Sequence, residues 1–343
     1  MRAFGWTLAV VLVASLLAAG GSVVGTAAAT DASGIDRGAD APAGDQFALD
    51  GDALAGAHAQ VNASFSREMY ETTVGDPVEI TVVAEEDTYL LVGGNRLSDS
   101  GNSVGFTDVI ELSPGGDSRM DVTLNTRIAG TGEDYVSVSG DSGDATSCSV
   151  GSCSDLDLVD EDGDGLEFSD VPTVTGAGDL SRPLAPARYR LSAVENATFT
   201  VTSGGEVTTG PSERADLFLV EPDRHLGEEV DLFTGLPAES DAEVDSLGAL
   251  RGDGLDRSAV TKGDRLVVGV EAAGIWGALS HLADDDDGPI AADTNATGEV
   301  LSDLFTREEG IGMRIEQTNP KPNRAPTRIG PAGIEDATVL FES

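Results

Sequence analysis

The chain is nearly free of lysine. Of its 20 basic residues only Lys262 and Lys321 are lysines, set against 61 aspartates and glutamates for a formal net charge of −41. With no basic stripe to displace counterions from phosphates, nucleic-acid binding is excluded. Histidine is also scarce, at 3 residues, and cysteine occurs 2 times. His225 and His281 have no second histidine or cysteine at ligand spacing, which excludes a Cys/His metal set. The sequence has no glycine-rich phosphate loop and no paired carboxylates in an apolar frame, and these absences favour a structural or binding role over an enzyme.

What is present is acid, spread over the whole length. A metal-binding or base-binding surface needs carboxylates in one place, not depletion of lysine everywhere. The balance points to strong salt. At multi-molar ionic strength the Debye length falls to about 3 Å or less, so the charges stop repelling one another while still hydrating the surface. The expected source is an extreme halophile, of archaeal type.

Long apolar runs are missing except at the start. Arg2, the apolar stretch Phe4–Ala19 and the small residues ending in Ala27-Ala28-Ala29 have the layout of a secretory signal peptide over residues 1–29. The alternative is a membrane anchor: Leu8–Ala19 falls short of the roughly 20 residues that span a bilayer, while counting on to Val24 reaches a marginal length. Arg2 has no second arginine beside it, which favours the general secretory route over the twin-arginine one. Cleavage would leave no transmembrane anchor. In an oxidising compartment Cys148 and Cys153 would close a short polar ring worth about 2 kcal/mol. Export would also make glycosylation sites of the sequons Asn62-Ala-Ser64, Asn196-Ala-Thr198 and Asn295-Ala-Thr297.

Residues 30–60 carry too few large apolar side chains to order a backbone and read as an acidic spacer. Beyond them the pattern alternates with period two. Val78, Ile80 and Val82 are followed by Met120, Val122 and Leu124, Tyr135–Val138, Tyr189 and Leu191, Phe199 and Val201, and Leu217 and Leu219. Turn clusters such as Gly93-Gly94-Asn95 and Ser203-Gly204-Gly205 separate them, predicting a mainly β, antiparallel β-sandwich over residues 61–222. Residues 223–343 change texture. Helices are predicted over Asp241–Arg251 and Asn295–Glu309 and strands over Arg265–Val270, Gly312–Gln317 and Ala337–Phe341, a smaller α+β domain that stops abruptly enough to suggest truncation.

Three motifs compete with plainer readings. Asp160, Asp162 and Asp164 with Gly165 have the spacing of a calcium loop, but Val171 stands where the closing glutamate belongs, and a solvated acidic turn is the alternative. The run Asp284–Asp287 is weaker, since four consecutive side chains cannot converge on one ion. Gly140-Asp141-Ser142-Gly143 copies the serine turn of chymotrypsin-like proteases, with His58 upstream, yet His58 falls in the spacer and too few residues separate the two for that family's paired barrels. Arg251-Gly252-Asp253 has no context that gives it meaning.

The stretch Ala63–Val82 resembles the opening strands of the surface domain of haloarchaeal cell-surface and S-layer-related glycoproteins. Ala187–Leu191 is similar to that domain's closing hairpin, and Glu316–Arg324 to a segment that recurs downstream. The resemblance covers residues 62–324 and implies an immunoglobulin-like fold, N-glycosylation, association with calcium or magnesium, and contacts with copies of itself or other envelope proteins at the cell surface. It departs from that family in having no threonine-rich stalk and no C-terminal apolar helix. The chain is thus expected to be a fragment, held by partners, or released. The function expected is that of a non-enzymatic envelope protein. An adhesin or ligand-binding module is the second class and an extracellular hydrolase the third.

Overall fold

The computed structural model describes residues 7–12, 62–95, 105–139, 142–153, 155–171, 180–221, 230–237, 264–271, 273–283, 295–306, 311–317, 320, 322–334 and 337–342. The spacer, the helix predicted over Asp241–Arg251, the run Asp284–Asp287, Arg251-Gly252-Asp253, His58 and His225 lie outside the described residues. The described chain is mainly β, with α-helices at Trp276–Ala283 and Gly298–Thr306.

The alternation at Val78, Ile80 and Val82 becomes strand Pro77–Val83, and that at Met120, Val122 and Leu124 becomes strand Arg119–Asn125. They run antiparallel, with Val78 opposite Leu124, Ile80 opposite Val122 and Val82 opposite Met120. All six of these side chains are buried, so each cross-strand pair lies on the core face. Ser64–Phe65 and Val136–Val138 complete a four-stranded sheet.

A six-stranded sheet shares that core. Its order is Met69–Thr73, Glu213–Val220, Arg188–Val194, Thr88–Gly93, Thr107–Pro114, Gly143–Ser147, and it contributes Leu90, Ile110, Leu191 and Leu217. A further four-stranded sheet covers its other face, formed by Asp157–Asp160, Gly165–Leu166, Thr198–Val201 and Val207–Thr209. There Tyr89, Leu91 and Val109 pack with Leu158, Phe199 and Val207. Thr88–Gly93 is therefore buried at every position, and its sequence is a continuous apolar run with no alternation. Two pairings depart from the antiparallel expectation: Glu213–Val220 is parallel to Met69–Thr73, and Asp157–Asp160 is parallel to Thr198–Val201.

A second core gathers Leu266, Val268, Trp276, Leu279, Val300, Leu301, Leu304 and Val339. The helix expected from Asn295 starts later. Asn295–Thr297 is a strand paired with Thr338–Leu340, because the sheet claims those backbone groups, and the helix begins at Gly298. Helix Trp276–Ala283 was not anticipated. The expected strand Gly312–Gln317 shortens to Ile315–Glu316, paired with Arg328–Ile329. This core's five-stranded sheet has the order Val230–Pro237, Asp264–Glu271, Thr7–Leu12, Thr338–Glu342, Asn295–Thr297. Its middle strand, Thr7–Leu12, comes from the stretch read above as a leader. No helix among the described residues is long and apolar enough to cross a membrane.

Candidate functional site

The two cores meet at a polar seam built around Asp76. The turn Thr73–Asp76 carries Gly75 at φ +92°, and the Asp76 amide donates to the Thr73 carbonyl at 3.0 Å. Thr126 braces this turn: its hydroxyl accepts from the Gly75 amide at 3.0 Å and donates to the Asp76 carbonyl at 2.8 Å. So held, the buried Asp76 carboxylate accepts the Gly274 amide at 2.8 Å and the Trp276 amide at 3.0 Å. The Gly277 amide donates to the Gly75 carbonyl at 2.8 Å, and the Asn125 side-chain amide donates to the Gly277 carbonyl at 2.8 Å. The first amides of a helix have no intrahelical acceptor, and here the first core supplies acceptors to a helix of the second.

Beside the seam lies an open cavity of about 280 Å³ whose lining includes Arg127, Glu133, Ser181, His281 and Leu282. It brings a histidine, a serine and a carboxylate together, the residue types a hydrolase would need. Among the described contacts no hydrogen bond joins His281 to Ser181 or Glu133, whereas an activated serine needs its base within hydrogen-bond reach. Ser142, of the protease-like turn, donates its hydroxyl to the Ser139 carbonyl at 2.7 Å.

A second buried carboxylate, Asp108, sits in strand Thr107–Pro114. It accepts from the Tyr135 hydroxyl at 2.8 Å, the Ser147 hydroxyl at 2.5 Å, the Val109 amide at 2.7 Å and the Ser149 amide at 3.2 Å. Burial pushes its carboxyl above the ordinary value, and the four hydrogen bonds oppose that shift without cancelling it. Burial and the adjacent Asp108 charge raise the Tyr135 phenol well above its usual range. Next along the chain, Cys148 and Cys153 form a disulfide with a Cα–Cα distance of 5.1 Å. The Cys148 amide donates to the Val109 carbonyl at 2.8 Å, so the bridged loop is tied to the Asp108 strand. Asp76 and Asp108 escaped the sequence reading, since neither stands in an apolar run that would mark it as buried.

The expected sequons divide. Asn62 and Asn196 are exposed, as are the hydroxyl residues Ser64 and Thr198 that complete their triplets. They are also neighbours: the backbone amide of Asn62 donates to the carboxylate of Glu195, the residue before Asn196. Asn295 lies in Asn295–Thr297, an edge strand of the five-stranded sheet.

The acidic segment forms a tight hairpin turn between Asp157–Asp160 and Gly165–Leu166. Asp160 directs one carboxylate oxygen at its own loop, accepting the Asp162 amide at 2.9 Å and the Asp164 amide at 2.8 Å. No group of three or more histidine, cysteine or acidic side chains able to hold a metal ion occurs among the described residues.

No family model matches this chain, and no curated protein sequence does.

Proposed function

We propose that this is a secreted, glycosylated, non-enzymatic surface protein of a halophilic archaeon. In this reading residues 61–222 form an immunoglobulin-like β-sandwich and residues 223–343 a smaller α+β domain. The protein contributes to an S-layer or envelope through contacts with copies of itself or with other envelope proteins. Calcium or magnesium bridges acidic faces of adjacent molecules, so no single chain need enclose the ion.

The observation that carries this reading is the meeting of two exposed sequons, Asn62 beside Glu195 and Asn196. Sugars on both would cover one end of the β domain and leave its flanks to neighbours, and a sugar at Asn295 would shield an edge strand from stray pairing. The net charge of −41 and the leader-like N-terminus support the same location.

The test is fractionation of source cells into medium, envelope and cytosol, with and without a divalent-cation chelator, followed by peptide mass spectrometry. Glycosylated Asn62 and Asn196 peptides in the envelope, released by the chelator, are the expected result. Unmodified peptides confined to the cytosol would overturn the reading. The seam cavity favours a second reading, a ligand-binding module, since Arg127, Glu133 and His281 offer both charges to a small polar ligand. Unmodified protein found only in the medium would favour it.

A further inference from the structure

The five-stranded sheet takes its middle strand from residues that export would remove. Thr7–Leu12 runs antiparallel to both neighbours, Thr7 opposite Glu271 and Glu342, Val11 opposite Val267 and Thr338. Without it the sheet falls into two separate pairs: Val230–Pro237 with Asp264–Glu271, and Thr338–Glu342 with Asn295–Thr297. The strands beside the gap are central to the second core, for Leu266, Val268 and Val339 all belong to it. Backbone groups along both inner edges would lose their partners in the middle of a sheet, where native structures seldom leave them unpaired.

Closing the gap is obstructed. The two flanking strands would have to approach by about 4.8 Å, one strand spacing, and pair parallel to each other. The Gly298 amide, which donates to the Ala337 carbonyl at 2.7 Å, ties one of these strands to the start of a helix packed in the core.

We propose, on the reading that residues 1–29 are a cleaved leader, that the mature second core is a strand acceptor. It takes an extended, uncharged, apolar segment of about six residues from another envelope protein, antiparallel to both flanking strands. The segment now seated there, Thr-Leu-Ala-Val-Val-Leu, defines the chemistry that fits. A donor from a second copy is disfavoured, because comparable runs of this chain, at Leu90–Val92 and Leu266–Val268, are already committed to sheets.

The test begins with the N-terminus of the protein isolated from envelope and medium. A start beyond residue 29 supports cleavage, whereas an intact Met1 removes the leader reading and this proposal with it. The mature protein, in molar salt, is then titrated with a peptide of residues 7–12 carrying lysine tails for solubility. Saturable one-to-one binding is expected, with amide exchange across 264–271 and 338–342 slowed at least tenfold. The same peptide with Val10→Pro, which lacks one ladder donor, should bind at least tenfold more weakly. A mature protein that ignores the peptide, whether because those amides are already protected in the monomer or because the chain dimerises through the slot, would overturn the strand-acceptor proposal while leaving the surface-protein reading intact.

Discussion

The carboxylate of Asp76 accepts the backbone amide of Trp276 at 3.0 Å across a sequence separation of 200 residues. A turn of one core thereby caps the first turn of a helix in the other. The bond is buried, and it joins the two cores.

Asp76→Ala should leave the Gly274 and Trp276 amides without acceptors and cost about 1–3 kcal/mol. Thermal unfolding in molar salt is the measurement. Asp76→Asn, which keeps one acceptor oxygen, should recover part of the loss.

Gly75→Ala should also damage the seam. At φ +92° a side chain is strained, and its Cβ would stand 2.5 Å from the Gly274 carbonyl oxygen. A loss of about 1–3 kcal/mol is expected, again read from the unfolding midpoint.

Asp108 makes stability depend on pH. Its raised carboxyl binds a proton more tightly in the folded chain than in the unfolded one. Its contribution to stability is therefore fullest below the ordinary carboxylate range and declines as pH rises through the raised value. The difference in unfolding midpoint between wild type and Asp108→Asn should shift in favour of wild type on going from about pH 7 to about pH 4 at constant salt. A pH-independent difference would contradict this. Asp121 carries the other sign: the Thr81 hydroxyl at 2.6 Å, with Arg119, lowers its carboxyl, so its contribution is lost as pH falls.

Replacing both Cys148 and Cys153 by serine should cost about 2 kcal/mol, since only a short ring is released. Hydrogen exchange should rise first at the Ser149 amide, whose acceptor is Asp108.

Dialysis from molar salt to about 0.15 M, where screening extends to about 8 Å, should unfold the protein as a charge of −41 repels itself. Loss of near-ultraviolet circular dichroism is the expected signal, and its retention would count against adaptation to strong salt.

Strands with one wet face were legible in the sequence, because Val78, Ile80 and Val82 must alternate with residues that meet solvent or a second environment. Thr88–Gly93 was not, because a strand covered by sheets on both sides has no wet face to mark its period. Thr7–Leu12 was hidden for a related reason: an apolar run bounded by small residues satisfies a leader and a central strand alike. The disulfide followed from two cysteines five positions apart, whereas the roles of Asp76 and Gly277 required partners about two hundred residues away.

By itself the sequence determined the mainly β character, the turns and the acidic balance, since each is a property of composition or of neighbours along the chain. Only the tertiary structure decided that Asn62 and Asn196 share one end, that Asp160 spends a carboxylate oxygen on its own loop, and that Asp76 caps a distant helix. Those facts depend on which hydrogen-bonding groups burial brings within about 3 Å of each other, and local pattern carries no record of such encounters.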